Sequence, residues 1–170
     1  RRGGGDVWLC VVCFFVVIGA RPSFTRGGSS AASDGYKRQI VVFEETRLLN
    51  LDWVQLDDAG LARLGHLNQL QLLSAAGSHV TDEGLAVAGS LPELKHLDLR
   101  SSCVRGPGLV HLKSLRHLEQ LVLTQNELTD DCLPDLLELP ALEIVSLNAT
   151  FIEDFSVLKN RGILVADVET

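Results

Sequence analysis

The chain has 170 residues, 31 of them Leu, with 46% apolar residues, 22% charged residues and a net charge of −7; it is too apolar for a disordered segment and too evenly patterned after residue 40 for a multi-span membrane protein. Charge is divided unevenly: residues 1–38 carry six Lys/Arg against two Asp/Glu, and residues 39–170 carry nine against twenty, so the folding part is acidic, repels phosphate backbones and is expected to take no nucleic acid. Four Cys in a chain of this length do not make a disulfide scaffold.

The chain opens with Arg1 and Arg2, then an apolar run from Val7 to Ile18 that ends on Gly19 and Ala20. Charged-then-apolar order is that of a signal peptide or membrane anchor over residues 1–20. From Val7 to Ala20 a helix would span about 21 Å, short of the roughly 30 Å hydrocarbon layer, which favours a cleaved signal over a stable span. Export is therefore expected, as a secreted, periplasmic or membrane-tethered protein, with membrane contact only through this segment. Cys10 and Cys13 sit inside the apolar run, where a redox or metal pair has no scaffold. Residues 21–38, rich in Gly, Ser, Ala and Arg, read as a flexible linker.

From residue 39 to residue 170 the chain is organised by a 24-residue repeat of about five units. The apolar pair of an L-x-L segment recurs at Leu49/Leu51, Leu73/Ala75, Leu97/Leu99, Leu121/Leu123 and Val145/Leu147. Further columns keep the same step: Leu56, Val80, Val104, Leu128, Ile152; then Leu61, Leu85, Leu109, Leu133, Val157; and Leu67, Leu91, Leu115, Leu139. A single coil of this length cannot close a core, because ordering each residue costs roughly 1–2 kcal/mol of backbone entropy. Stacked coils share burial instead, each Leu resting on its equivalent in the next.

Each L-x-L has the period-two alternation of a short strand, so five strands in one parallel sheet are predicted, with the middle residue outward. Thr81-Asp82 and Thr129-Asp130 stand just ahead of L-x-x-L runs and predict an N-cap before a short helical turn. Asp recurs at 58, 82, 130 and 154, with Gly106 in the third coil, and Gly recurs at 60, 84 and 108, with Cys132 in the fourth. Pro92, Pro107, Pro134 and Pro140 all fall outside the predicted strands.

Read through Leu91, Leu94, Leu97, Leu99, Ser102 and Val104, and again through Leu115, Leu118, Leu121, Leu123, Asn126, Leu128, Thr129 and Asp130, the chain resembles the leucine-rich repeat family, closest in pattern to bacterial T-D-x-G-L repeats and to those of F-box adaptors. The resemblance implies an α/β fold: a right-handed solenoid with a concave parallel β-sheet and short convex helices. The family's Asn position holds Val54, Ser78, Ser102, Asn126 and Thr150, so its side-chain hydrogen bonding should be less uniform than an Asn column. Repeat five decays after Asp154, as a terminal capping unit should.

Concave candidates are the residues bordering and splitting each L-x-L. A polar centre of His96, Asp98, Arg100, Gln120, Thr124 and Asn148, together with Val122, is expected to bind a ligand, with Leu48, Leu72, Val122 and Ile144 exposed around it. Apolar groups on a solvated sheet point to a protein partner. His96 and Asp98 share a face without a third ligand or nucleophile, so no metal and no cofactor are expected. His79, Cys103 and Glu127 occupy equivalent loop positions on adjacent coils, a thiol between a base and a carboxylate, yet a solenoid edge supplies no oxyanion pocket.

The function expected is non-catalytic macromolecular recognition through the concave face. The alternatives are an intracellular substrate-recognition adaptor and a thiol enzyme using Cys103. On this reading Arg100→Glu should weaken binding with little change in stability, and Leu121→Ala should open a core cavity.

Overall fold

The computed structural model describes residues 45–166; the expected signal or anchor at 1–20 and the linker at 21–38 lie outside the described residues. Six three-residue strands, β1 (Leu48–Asn50), β2 (Leu72–Ser74), β3 (His96–Asp98), β4 (Gln120–Val122), β5 (Ile144–Ser146) and β6 (Leu164–Ala166), form one sheet in chain order. Every neighbouring pair is parallel, and Leu49, Leu73, Leu97, Leu121, Val145 and Val165 stand side by side across it. The first four steps are 24 residues.

The sixth strand corrects the expected five. Its coil is 20 residues long, so the repeat register that identified the other strands points past it. The short coil closes at Gly162, whose φ of +88° suits a residue without Cβ. The Leu164 amide then donates to the Glu143 carbonyl at 2.8 Å, placing β6 on β5. Arg161 holds the same coil down by donating to the Leu139 carbonyl at 3.1 Å.

Each strand continues as a ladder beyond its three residues. Leu51, Ala75, Leu99 and Leu123 donate to the carbonyls of Ser74, Asp98, Val122 and Ser146 at 2.7–2.9 Å. Two residues on, Trp53, Gly77, Ser101 and Gln125 donate to Ala76, Arg100, Thr124 and Asn148 at 2.6–2.9 Å. These four and Ala149 all have φ between +53° and +67°. A left-handed residue here turns each coil out of the sheet, in the first four coils while keeping its N–H on the next coil, and in four of five cases it is not Gly, so stacking holds a conformation that side chains disfavour.

Opposite the sheet lie short helical segments: α1 (Asp58–Ala62), α2 (Asp82–Ala88), a 3₁₀ stretch (Pro107–Ser114), a 3₁₀ turn (Asp130–Cys132) running into α3 (Leu133–Leu137), and α4 (Ser156–Asn160). None is long enough to hold together alone. Each presents Leu to the interior: Leu61, Leu85, Leu109, Leu112, Leu136 and Leu158 are fully buried against the strand leucines. At about 1.5–3 kcal/mol per buried Leu, this continuous spine is the main stabilising contribution.

The Asp column does more than cap. Asp57 and Thr81 are the residues whose side chains cap α1 and α2, accepting from the Gly60 and Glu83 amides. Asp58 and Asp82, the first helical residues, reach forward to the following coil. Asp58 accepts from the Thr81 amide at 2.9 Å and its hydroxyl at 2.7 Å. Asp82 accepts from the amides of Arg105, Gly106 and Gly108 at 2.9–3.1 Å, and Asp130 accepts from Glu153 at 3.0 Å. Gly108 is required by this approach, since a Cβ there would lie 2.4 Å from the Asp82 carbonyl oxygen.

The Asn position is as uneven as expected. Asn126 donates to the carbonyls of Leu99, Leu123 and Thr124 and accepts from the Val104 amide. Ser78 and Ser102 share one hydroxyl contact at 3.2 Å, and Thr150 donates to Leu147.

Candidate binding face

The outward positions of the strands align in three rows across the sheet. The register places Leu48, Leu72, His96, Gln120, Ile144 and Leu164 in the first row, and Asn50, Ser74, Asp98, Val122, Ser146 and Ala166 in the second. Two residues further on, Asp52, Ala76, Arg100, Thr124 and Asn148 make the third. All seven candidate residues, His96, Asp98, Arg100, Gln120, Val122, Thr124 and Asn148, are thereby gathered on β3, β4 and β5 or just beyond them.

Their exposure differs from expectation in two ways. Asp98 is buried, 2% exposed, because Arg100 lies over it: the Arg100 amide and Nε donate to its carboxylate at 3.0–3.1 Å, and Nη2 makes a further, very short bond. A carboxylate so covered is a support for Arg100 and not a contact surface. Arg100 keeps 52% of its side chain in water. The expectation that Arg100→Glu is nearly neutral for stability is therefore overturned, since it would set two carboxylates together, one of them out of water. The second difference is that Leu48, Leu72, Val122 and Ile144 are half-buried among their neighbours, not exposed. The exposed apolar residue of this face is Leu164, 61% exposed, on the strand missed in the repeat register.

Other polar groups of the face are also held in place. Asp52 accepts from the Ser74 hydroxyl at 2.5 Å, the Ala76 amide at 2.9 Å and the Asn50 amide group at 3.0 Å. His96 Nδ1 lies 2.7 Å from Gln120 Oε1. The middle row is low: Ser74 and Ser146 are 7% and 6% exposed, because short side chains sit between taller rows. Thr124 is half-buried, and Gln120 and Asn148 are exposed.

At the edge where the strands turn out, two aromatic side chains stand in water, Trp53 (70% exposed) and Phe151. Trp53 lies flat over Gly77, where a Cβ would come within 2.2 Å of the indole ring. Nothing in the sequence separates these aromatics from core residues, since both fall near apolar columns. His79, Cys103 and Glu127 do lie on successive coils and are all exposed. Glu127 is paired with Arg105 at 3.0 Å, and the His79 and Cys103 amides carry the ladder to Leu56 and Val80. Cys132 is buried, and removal from water pushes its thiol up to about 11. Among the described residues, no group of three His, Cys, Asp or Glu is placed to hold a metal ion, and no helix is long and apolar enough to cross a membrane.

Neither a protein-family model nor a curated protein matches the chain. Solved structures do. Internalin C2 of Listeria monocytogenes superposes with a TM-score of 0.61 at 27% identity, over 71% of this chain and 50% of that one. Internalin InlF of the same organism gives 0.57 at 24% identity, over 65% of this chain and 32% of its own. The chain thus spans half or less of the internalins to which it is similar. Both are leucine-rich repeat proteins.

Proposed function

A leucine-rich repeat protein is what this chain is by repeat, register and structural likeness, and from that premise we propose that it is a non-catalytic recognition protein whose concave sheet binds a protein partner. One observation carries the reading. The inward column is nearly uniform, Leu49, Leu73, Leu97, Leu121 and Val145, whereas the outward rows built on the same backbone change chemistry at almost every coil. Packing requires the first and does not require the second. A fixed support carrying a varied, partly apolar surface has the composition of an interface.

The binding residues in this reading are His96, Arg100, Gln120, Val122, Thr124 and Asn148, with Asp98 positioning Arg100. The apolar run from Val7 to Ile18 supports export or tethering, with the concave face presented outside the cytoplasm. Recovery of the full-length protein in the cytosolic fraction would reject that part.

The binding test uses a substitution that the scaffold tolerates. Asn148 is exposed, so Asn148→Arg should leave the melting temperature within about 2 °C while abolishing capture of polypeptides that chemical cross-linking joins to the wild-type protein. Capture that is the same for both proteins would reject the concave face as the binding surface.

A further inference from the structure

The net charge of the repeats lies along one edge. Where each coil leaves its strand and enters its helical segment, at residues 53–60, 77–84, 101–108, 125–132 and 149–156, nine Asp/Glu stand against Arg105 alone, whereas the other described residues carry eight Asp/Glu and eight Lys/Arg. The same edge holds both aromatic side chains that stand in water, Trp53 and Phe151. We infer that this edge binds a basic, arginine-bearing segment of a polypeptide. The inference goes beyond the concave-face reading and uses none of its candidate residues.

Folding accounts for only part of this. Asp57, Asp58, Asp82, Asp130 and Asp154 accept backbone amides, bonds that fix the carboxylates without cancelling their charge. Glu83, Asp131 and Glu153 are exposed and stand outside every ion pair among the described residues. Glu127 meets Arg105 with both side chains largely in water, a pairing that contributes little to stability. The aromatics are no more required. Trp53 holds a φ of +59° at a position that Gly77, Ser101, Gln125 and Ala149 fill in the other coils, so the stack does not need a bulky side chain there. Phe151 stands where Gln55, His79, Cys103 and Glu127 are exposed in the coils before it.

Charge and aromatic faces together select the partner. Neighbouring coils are about 5 Å apart at the sheet, inside the roughly 8 Å screening length of physiological salt, so carboxylates on successive coils add to one negative field. That field repels nucleic acid, and no group of three among the described residues is placed to hold a metal ion. A guanidinium uses both features of the edge, since it pairs with carboxylates and stacks on aromatic rings. Trp53 offers it such a surface, lying flat over Gly77 while 70% of the residue stays in water. The field divides at coil three, where Gly106 replaces the Asp and Arg105 is positive. Four carboxylates lie on coils one and two with Trp53, and five on coils four and five with Phe151. The centres of the two groups are three coils apart, about 14 Å, and four residues of extended chain span about 13 Å. Two arginine pairs at that spacing meet both groups at once.

The test is fluorescence anisotropy with the full chain and a labelled synthetic decapeptide, Gly-Ser-Arg-Arg-Ser-Gly-Arg-Arg-Ser-Gly, beside the same peptide with every Arg changed to Gln. The Arg peptide should bind at least about tenfold more tightly than the Gln peptide. Two triple variants then separate the edge from overall charge, each removing three exposed carboxylates. Glu83→Gln with Asp131→Asn and Glu153→Gln, on the edge, should weaken the Arg peptide by about tenfold or more, whereas Glu93→Gln with Glu119→Gln and Glu143→Gln, off it, should weaken it by less than about threefold. Phe151→Ser should weaken it by about threefold, and Arg105→Gln, which removes the one positive charge of the edge, should tighten it. The melting temperature should be retained in all four variants. Equal weakening by the two triples would mean attraction by net charge alone and would overturn the inference, as would equal binding of the two peptides, an unchanged affinity for Phe151→Ser or a weaker one for Arg105→Gln. Any of these results would leave the concave-face reading standing, because that reading is decided by Asn148-dependent capture.

Discussion

The second and last complete coils use the same residue type at the same repeat position for opposite purposes. In the second, Asp82 sits on the first turn of α2 and gathers three amides of the next coil. In the last, Asp154 turns back to the Ser156 amide of its own coil at 2.8 Å, and the coil shortens to bring β6 onto β5. A carboxylate that propagates the stack where another coil follows becomes a local cap where the spacing changes. The carboxylate bonds between coils add to the leucine spine where they occur, and the third coil, with Gly106 at this position, keeps its 24-residue step without one.

The largest expected effect sharpens the contrast between middle and end. Leu121→Ala, in the middle of the spine, should cost about 2–5 kcal/mol in urea unfolding by leaving a cavity walled by two neighbouring coils. Ile163→Ala, beside the last strand, should cost less than half as much, because its cavity opens toward the end of the stack. Equal losses would mean that the terminal coil is packed as an interior one.

Next in size is the close approach between coils two and three. Gly108→Ala should destabilise by about 1–3 kcal/mol, since the added methyl meets the Asp82 backbone. Asp82→Ala should cost a similar amount by leaving three amides without their acceptor, whereas Asp154→Ala should shift the melting temperature less. A larger shift for Asp154 would reverse the roles given to the two carboxylates.

On the sheet, Arg100→Ala should cost about 1–3 kcal/mol by uncovering the Asp98 carboxylate, less than for a fully buried pair because Arg100 keeps half its side chain in water. Asn148→Ala, on the same row, should be neutral. If both were neutral, Asp98 would not depend on Arg100.

The smallest effects follow from titration. The Cys132 thiol, held up to about 11 by burial, stays protonated in the fold between pH 9 and 11 while the unfolded chain loses its proton, so its contribution to stability falls as pH rises through that window. Native Cys103 should be alkylated by iodoacetamide at pH 8.5 and Cys132 only in denaturant. Equal native labelling would contradict the packing of coil four. Asp154 is shifted the other way: the Ser156 amide and hydroxyl hold its carboxyl below the usual range, so what it contributes is present above the ordinary carboxylate pKa and is lost as pH falls through the lowered one.

Much of this architecture was legible because packing demands the same residue type at the same place in each coil. Leu73, Leu97 and Leu121 repeat since each is the floor on which the next rests, and such a constraint writes itself into columns. The left-handed positions did not repeat in kind: Trp53, Gly77, Ser101, Gln125 and Ala149 share a backbone conformation, in the first four held by a hydrogen bond to the adjoining coil, which leaves no mark on the side chains. β6 escaped because a 20-residue coil breaks the register used to find it. Asp98 was readable as an outward residue by alternation, but its burial depends on where Arg100 folds down, a matter of side-chain geometry that spacing does not encode. The forward reach of Asp58 and Asp82 was hidden for a related reason, as Asp57-Asp58 and Thr81-Asp82 ahead of a helix have the same sequence whether the second residue caps its own coil or bonds to the next.

The most direct measurement is a double-mutant cycle on the spine. Leu73→Ala and Leu97→Ala, on adjacent coils and in register, should couple by about 0.5–3 kcal/mol, while Leu73→Ala and Val145→Ala, three strands apart, should add within about 0.5 kcal/mol. Additivity in the first pair, or coupling as large in the second, would contradict a structure in which stability passes from each coil to its nearest neighbour.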